Sequence, residues 1–66
     1  MEIRINGETT LYGGRPTVTA LLESLGISPG TVVVEKNRRI VPRHELDCEP
    51  VGQGDVIEIV RLVRGG

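Results

Sequence analysis

Gly65 and Gly66 close the sequence, and two glycines followed by an α-carboxylate form the group whose chemistry stands out in this chain. Without Cβ atoms the pair makes a backbone thin enough to enter a narrow partner site. An α-carboxyl ordinarily titrates at roughly 3.5, so at neutral pH it is ionised and a poor electrophile until another protein activates it. Glycines also occur at frayed termini, where they carry no function. What precedes the pair favours the chemical reading. Val56 to Val63 reads as a long strand that runs straight into Arg64-Gly65-Gly66, which puts the carboxylate on an arm beyond the globule. On that strand Ile57 and Ile59 share one face, while Val56, Glu58, Val60 and Leu62 share the other. With a helix over the Ile57 face, Val60 and Leu62 become an exposed apolar pair near the terminus and read as a docking patch. Val63 and Arg64 continue this partner-binding stretch, and Arg61 and Arg64 can add rim contacts.

Other candidates are weaker. Gly13-Gly14-Arg15-Pro16-Thr17 ahead of a helix invites a phosphate-loop reading. It lacks the Gly-Lys-Ser/Thr ending and no parallel βαβ unit surrounds it, so that reading is rejected. Cys48 has no neighbouring His or second Cys to activate it and reads as a spare surface or partly buried thiol. His44 reads as structural or solvent-facing, and Glu45, Asp47 and Glu49 as solvated loop carboxylates.

The inventory of the 66 residues removes whole classes of function. A single Cys allows neither a disulfide framework nor a Cys-rich zinc site, and a single His allows no multi-His metal site. Tyr12 is the one aromatic and the net charge is −1, which leaves neither base-stacking platforms nor a basic footprint for nucleic acid. No apolar stretch approaches the roughly 20 residues of a membrane span, and Glu2-Ile3-Arg4-Ile5 is no signal-peptide core. A cytoplasmic protein with no metal and no bound cofactor is expected. A domain this small has one thin core and no deep walled cavity, which argues against self-contained catalysis.

The elements that must position the terminus follow from pattern. Glu2 to Asn6 alternates with Ile3 and Ile5 on one face, and Asn6-Gly7 is the strongest short-range hairpin signal. Glu8 to Tyr12 is the returning strand, broken by Gly13-Gly14-Arg15-Pro16. Thr17 reads as a helix N-cap; Val18, Leu21, Leu22 and Leu25 form one apolar stripe, with Thr19, Glu23 and Ser24 toward water and Gly26 at the C′ position. After the turn Ser28-Pro29-Gly30, Thr31 to Lys36 reads as a strand. Asn37-Arg38 turns into the short Ile40-Val41 strand, which Pro42 stops. Arg43 to Val51 reads as irregular with one helical turn near Glu45-Leu46, and Gly52-Gln53-Gly54-Asp55 as a tight turn into the last strand. This order predicts a single α+β domain over 1–66, with a mixed sheet of four to five strands, one main helix and an exposed tail over 62–66. Ubiquitin-like β-grasp, with the terminal strand central, is the compact fold that meets the order.

Taken in sequence, Gly14-Arg15-Pro16-Thr17-Val18 with Leu21-Leu22, then Asn37 leading to Ile40-Val41-Pro42-Arg43, then Gly54-Asp55-Val56-Ile57-Glu58-Ile59-Val60 and Gly65-Gly66, resemble the ThiS family of sulfur carriers along the whole chain. The resemblance implies a protein cosubstrate rather than an enzyme. An E1-like adenylyltransferase would join the Gly66 carboxylate to AMP, using ATP that the partner binds. A cysteine desulfurase or rhodanese-type donor would supply persulfide sulfur, giving a C-terminal thiocarboxylate. Thiazole synthase would then take the sulfur for the thiazole of thiamin. The molybdopterin synthase small subunit and carriers for tRNA thiolation or cysteine synthesis share this chemistry. Arg61-Leu62-Val63-Arg64-Gly65-Gly66 also resembles the tail of ubiquitin, so a protein modifier stays open as an alternative.

Overall fold

Two turns with left-handed backbone set the hairpins of the sheet. The computed structural model describes residues 1–62; Val63, Arg64, Gly65 and Gly66, with the strand end and tail expected there, lie outside the described residues. Strand β1 (Glu2–Ile5) pairs antiparallel with β2 (Glu8–Leu11) across Asn6 and Gly7, whose φ values are +49° and +85°. Asparagine and glycine tolerate that region best, which is why this dipeptide turns a two-residue hairpin. Strand β3 (Val32–Lys36) pairs antiparallel with β4 (Arg39–Val41) across Asn37 and Arg38, at +52° and +70°. Pro42 ends β4, as expected of a residue with no N–H to donate to a ladder.

Helix α1 (Val18–Ser24) starts where the Thr17 hydroxyl accepts from the Ala20 N–H at 3.2 Å. It ends in a Schellman arrangement: Gly26, at φ +73°, donates to Glu23 O at 3.0 Å and Ile27 donates to Leu22 O at 2.9 Å. Val18, Leu21 and Leu22 are buried, as the stripe predicts. Leu25 is a correction. It is 43% exposed because it occupies the C-cap, where the chain unwinds from the helix and the stripe no longer applies. Thr19 is also not simply water-facing: it is half-buried, and its hydroxyl donates to Asp47 Oδ1 at 2.6 Å.

Strand β5 (Val56–Arg61) completes a five-stranded sheet of order β2-β1-β5-β3-β4, parallel to β1 and antiparallel to β3. Ile3, Ile57 and Val34 face α1 from the sheet, and Leu46 and Val51 from the 42–55 connection close the side of this core. Ile5, Ile27 and Ile59 pack around it, half-buried. The predicted β-grasp arrangement is therefore the observed one, with the last strand central. Strand bounds differ slightly: Thr31 belongs to a 3₁₀ turn, Pro29–Thr31, rather than to β3, and a second such turn spans Arg43–Glu45.

Tyr12 shows why one of the two glycines in the break after β2, Gly14, has to be a glycine. Its ring is buried, and its hydroxyl donates to Arg15 O at 2.5 Å. A Cβ on Gly14 would lie 2.6 Å from that hydroxyl and within 2.9 Å of the ring, whereas a Cβ on Gly13 would meet nothing. Gly14→Ala is expected to destabilise the fold by about 1–3 kcal/mol through overpacking, and Gly13→Ala by less than about 0.5 kcal/mol. Paired thermal melts of the two variants check this, and equal melting temperatures would contradict it.

Candidate functional site

The alternation of β5 divides its side chains between two environments. Ile57 is fully buried and Ile59 half-buried beneath α1, while Val60 is 54% exposed on the opposite face and Leu62, just past the strand, is 49% exposed. The expected apolar pair thus stands in solvent. Val33 sits opposite Val60 across the β3–β5 ladder and extends the patch sideways. One row further, Glu58 lies directly opposite Glu35, and Glu35 opposite the 67% exposed Ile40. Like charges facing each other across a ladder destabilise it slightly, so this row is held at a small cost in the free protein. The outer face near the end of β5 is therefore apolar around Val60, with two carboxylates beside it. Arg61 is exposed and projects from the other side of the strand, opposite Val32, so it does not stand on the face of Val60. Arg64 and Val63, the remaining docking candidates, lie outside the described residues with Gly65 and Gly66.

Two asparagines hold β5 through their side chains. Asn37 N–H donates to Val56 O at 2.8 Å, and its Oδ1 accepts from Val56 N–H at 2.9 Å. Asn6 accepts from Ile59 N–H at 2.8 Å through Oδ1 and donates from Nδ2 to Ile59 O at 3.3 Å. Sequence reasoning finds both residues as turn formers and misses this second role. The signal available is that each turn opens with Asn rather than with the equally permissive Gly.

Lys36 anchors the connection before β5. Its ammonium lies 2.8 Å from Glu49 Oε2, donates to Pro50 O at 2.8 Å, and is 3.9 Å from Asp55 Oδ2. Asp55 in turn accepts from Gly52 N–H at 2.7 Å and from Asn37 Nδ2 at 3.1 Å. Burial alone would raise the Asp55 pKa. The Gly52 N–H, the Asn37 amide and the Lys36 charge outweigh it and hold the carboxyl below its ordinary value. The expectation that Asp47 and Glu49 are merely solvated is corrected: one accepts from Thr19 and the other pairs with Lys36. Glu45 is exposed, His44 is exposed, and Cys48 is an exposed free thiol.

The segment ahead of α1 is no phosphate cradle, and the reason is visible in its hydrogen bonds. The Val18 N–H donates to Glu49 O at 3.0 Å and the Thr19 N–H to Leu46 O at 3.1 Å, while Ala20 is capped by Thr17. The N–H groups an anion would need are already used to dock the 42–55 connection. Among the described residues no group of three or more His, Cys, Asp or Glu is placed to hold a metal ion, and no helix is long and apolar enough to cross a membrane.

Known proteins bear on this arrangement. The ThiS family model matches residues 3–66. The chain belongs to the ThiS family. A sulfur carrier protein ThiS from Thermus thermophilus is 34% identical over 62 residues, covering 94% of this chain and 95% of that protein. A crystal structure of the thiamine biosynthesis protein ThiS from Geobacter metallireducens superposes with a TM-score of 0.86 at 30% identity, covering all of both chains. A thiazole synthase from Paramagnetospirillum magneticum is 41% identical over the full 66 residues. The chain spans 20% of the length of that protein, and 20% of a second thiazole synthase, from Magnetococcus marinus. This ThiS-family chain thus has relatives both as small proteins of its own size and as one part of much longer ones.

Asp55→Asn is expected to lower stability at pH 7 by about 1–2 kcal/mol, because it removes a charged acceptor from the Gly52 N–H and a neighbour from Lys36. A carboxyl with a depressed folded pKa stabilises above its unfolded value, roughly 3.9, and loses that contribution as pH falls through the folded value. The difference between the two proteins should therefore shrink below about pH 4 and vanish once Asp55 is protonated in both states. Urea melts from pH 7 to pH 2 measure this, and a pH-independent difference would contradict the assignment.

Proposed function

We propose that this ThiS-family protein carries sulfur as a thiocarboxylate on Gly66, formed and consumed by partner enzymes. The observation that carries the reading is the family match extending through Gly65 and Gly66 on a chain whose last strand is central and whose Val60 and Leu62 stand exposed before it. The chemistry assigns the protein no acid, base or nucleophile beyond its own terminus. A Gly66 carboxylate oxygen attacks the α-phosphorus of ATP on an E1-like adenylyltransferase, the bond to pyrophosphate breaks, and an acyl-adenylate results. The terminal sulfur of a partner persulfide, charged by a cysteine desulfurase or rhodanese-type protein, then attacks the carbonyl carbon and AMP leaves. A partner thiol reduces the resulting acyl disulfide, which leaves the thiocarboxylate on Gly66 and a disulfide on the partner.

The receiving enzyme in this reading is thiazole synthase, and the product sulfur goes to the thiazole of thiamin. Support comes from relatives named thiazole synthase that contain a domain 41% and 35% identical to this chain, and from a ThiS structure described as a thiamine biosynthesis protein. Val60, Leu62, Val63 and Arg64 form the docking stretch, with slim Gly65 letting the acyl group enter a narrow site. Successive partners use the same surface, which favours modest, exchangeable interfaces. The carrier works in the cytoplasm, where ATP and persulfide donors are available to its partners.

Incubation with ATP, Mg²⁺, the cognate adenylating enzyme and a persulfide source is expected to exchange one oxygen for sulfur, read by intact mass. Deleting Gly66 should abolish the exchange and leave the thermal melt nearly unaltered. No exchange in the parent protein, or a lysine-linked conjugate in its place, would overturn the carrier reading. Val60→Asp is expected to weaken binding to the adenylating enzyme about tenfold, roughly 1.4 kcal/mol, with stability changed by less than about 0.5 kcal/mol. Titration calorimetry on the parent and variant reads this, and equal affinities would remove Val60 from the docking stretch.

A further inference from the structure

The Asn6 side chain does the work of a strand residue that β1 does not have. β1 stops at Ile5, whereas β5 runs on to Arg61. On the β1 side of β5, the Asn6 N–H donates to Ile57 O at 3.0 Å. Two residues further along β5 the Asn6 amide takes over, accepting from Ile59 N–H at 2.8 Å and donating to Ile59 O at 3.3 Å. A neighbouring strand would make the same two kinds of bond to Ile59. On the other side, β3 pairs with β5 from Ile57 to Arg61, and the Leu62 N–H donates to Thr31 O at 3.0 Å. Among the described residues, β5 is held on both sides through Ile59 and on the β3 side alone from Val60 to Leu62.

We infer that Asn6 is a positioning residue for the terminal acyl group: its amide, by pairing with both backbone groups of Ile59, sets the direction in which the chain leaves the sheet toward Gly66. This inference rests on the carrier reading above. Two-stranded ribbons twist more, and more variably, than strands inside a sheet. Without the amide, two-sided support would end at Ile57, about 7 Å earlier along the strand. A reacting group misplaced by about 1 Å can lose up to about a hundredfold in rate. The turn itself does not require the amide, because glycine satisfies φ +49° at least as well.

Asn6→Gly therefore keeps the turn and deletes the surrogate strand, while Asn6→Asp keeps the acceptor for Ile59 N–H and loses the Nδ2 donor. Two readouts on the full chain separate positioning from folding: amide exchange at Ile59 relative to that at buried Val34, and pyrophosphate release during adenylation by the cognate enzyme. The expected result for Asn6→Gly is an Ile59 exchange rate raised about tenfold relative to Val34, and kcat lowered about tenfold with KM changed less than about twofold. Asn6→Asp should recover part of the lost kcat. Unchanged kcat in Asn6→Gly, or a loss confined to KM, would overturn the inference. A parent protein that its cognate enzyme does not adenylate overturns the carrier reading and this inference with it; a parent that is adenylated while the variants match it overturns this inference alone.

Discussion

Ile57 sits fully buried at the middle of the sheet, and its strand is bonded to β1 on one side and β3 on the other. The rest of the structure depends on that placement. A last strand at a sheet edge could fray without disturbing the fold, and anything attached to it would wander. A last strand at the centre is held by one neighbour from the start of the chain and one from its middle, so its direction is tied to the whole core. The parallel β1–β5 pair needs the long crossover that contains α1, β3, β4 and the 42–55 connection. Every intervening element therefore contributes to where β5 points.

The outer face follows from the same constraint. α1 is the one α-helix among the described residues, and it can cover only one side of a five-stranded sheet. The inner side takes Ile3, Val34 and Ile57, and the outer side is left with Val33, Val60 and Ile40 in the company of Glu35 and Glu58. For so small a domain an apolar cluster in water is an energetic cost rather than a gain. In the carrier reading proposed above, Val60 and Leu62 at the end of β5 are the part of this face that partners meet.

Polar groups do work here that apolar packing cannot. The Lys36–Glu49 pair and the Asp55 carboxylate fasten the 42–55 connection to the start of β5, and the N–H groups of Val18 and Thr19 fasten it to α1. This connection carries only Leu46 and Val51 into the core, so its conformation rests largely on hydrogen bonds. The asparagines Asn6 and Asn37 extend the ladder where backbone partners run out. A thin core is thereby supplemented by a dense set of specific polar contacts around one strand.

Element types and their order are legible in the chain because local rules suffice for them. Asn6-Gly7 and Gly26 occupy the left-handed positions their chemistry predicts, Thr17 caps α1, and the alternation of Val56 to Leu62 assigns faces correctly. Leu25 departs from its pattern because helical periodicity holds only while the helix lasts, and its terminal turn is set by Gly26. The contacts of Thr19, Asp47 and Glu49 escape the pattern because each partner lies on another element, 28 residues away for the Thr19–Asp47 pair, at separations no local rule encodes. The second role of Asn6 is invisible for the same reason: Ile59 is 53 residues distant in sequence. Sequence by itself determined the turns, the faces and the terminal glycines, since these depend on steric preference and period. Only the tertiary structure decided which backbone groups each turn side chain reaches, because that depends on β5 being threaded between β1 and β3.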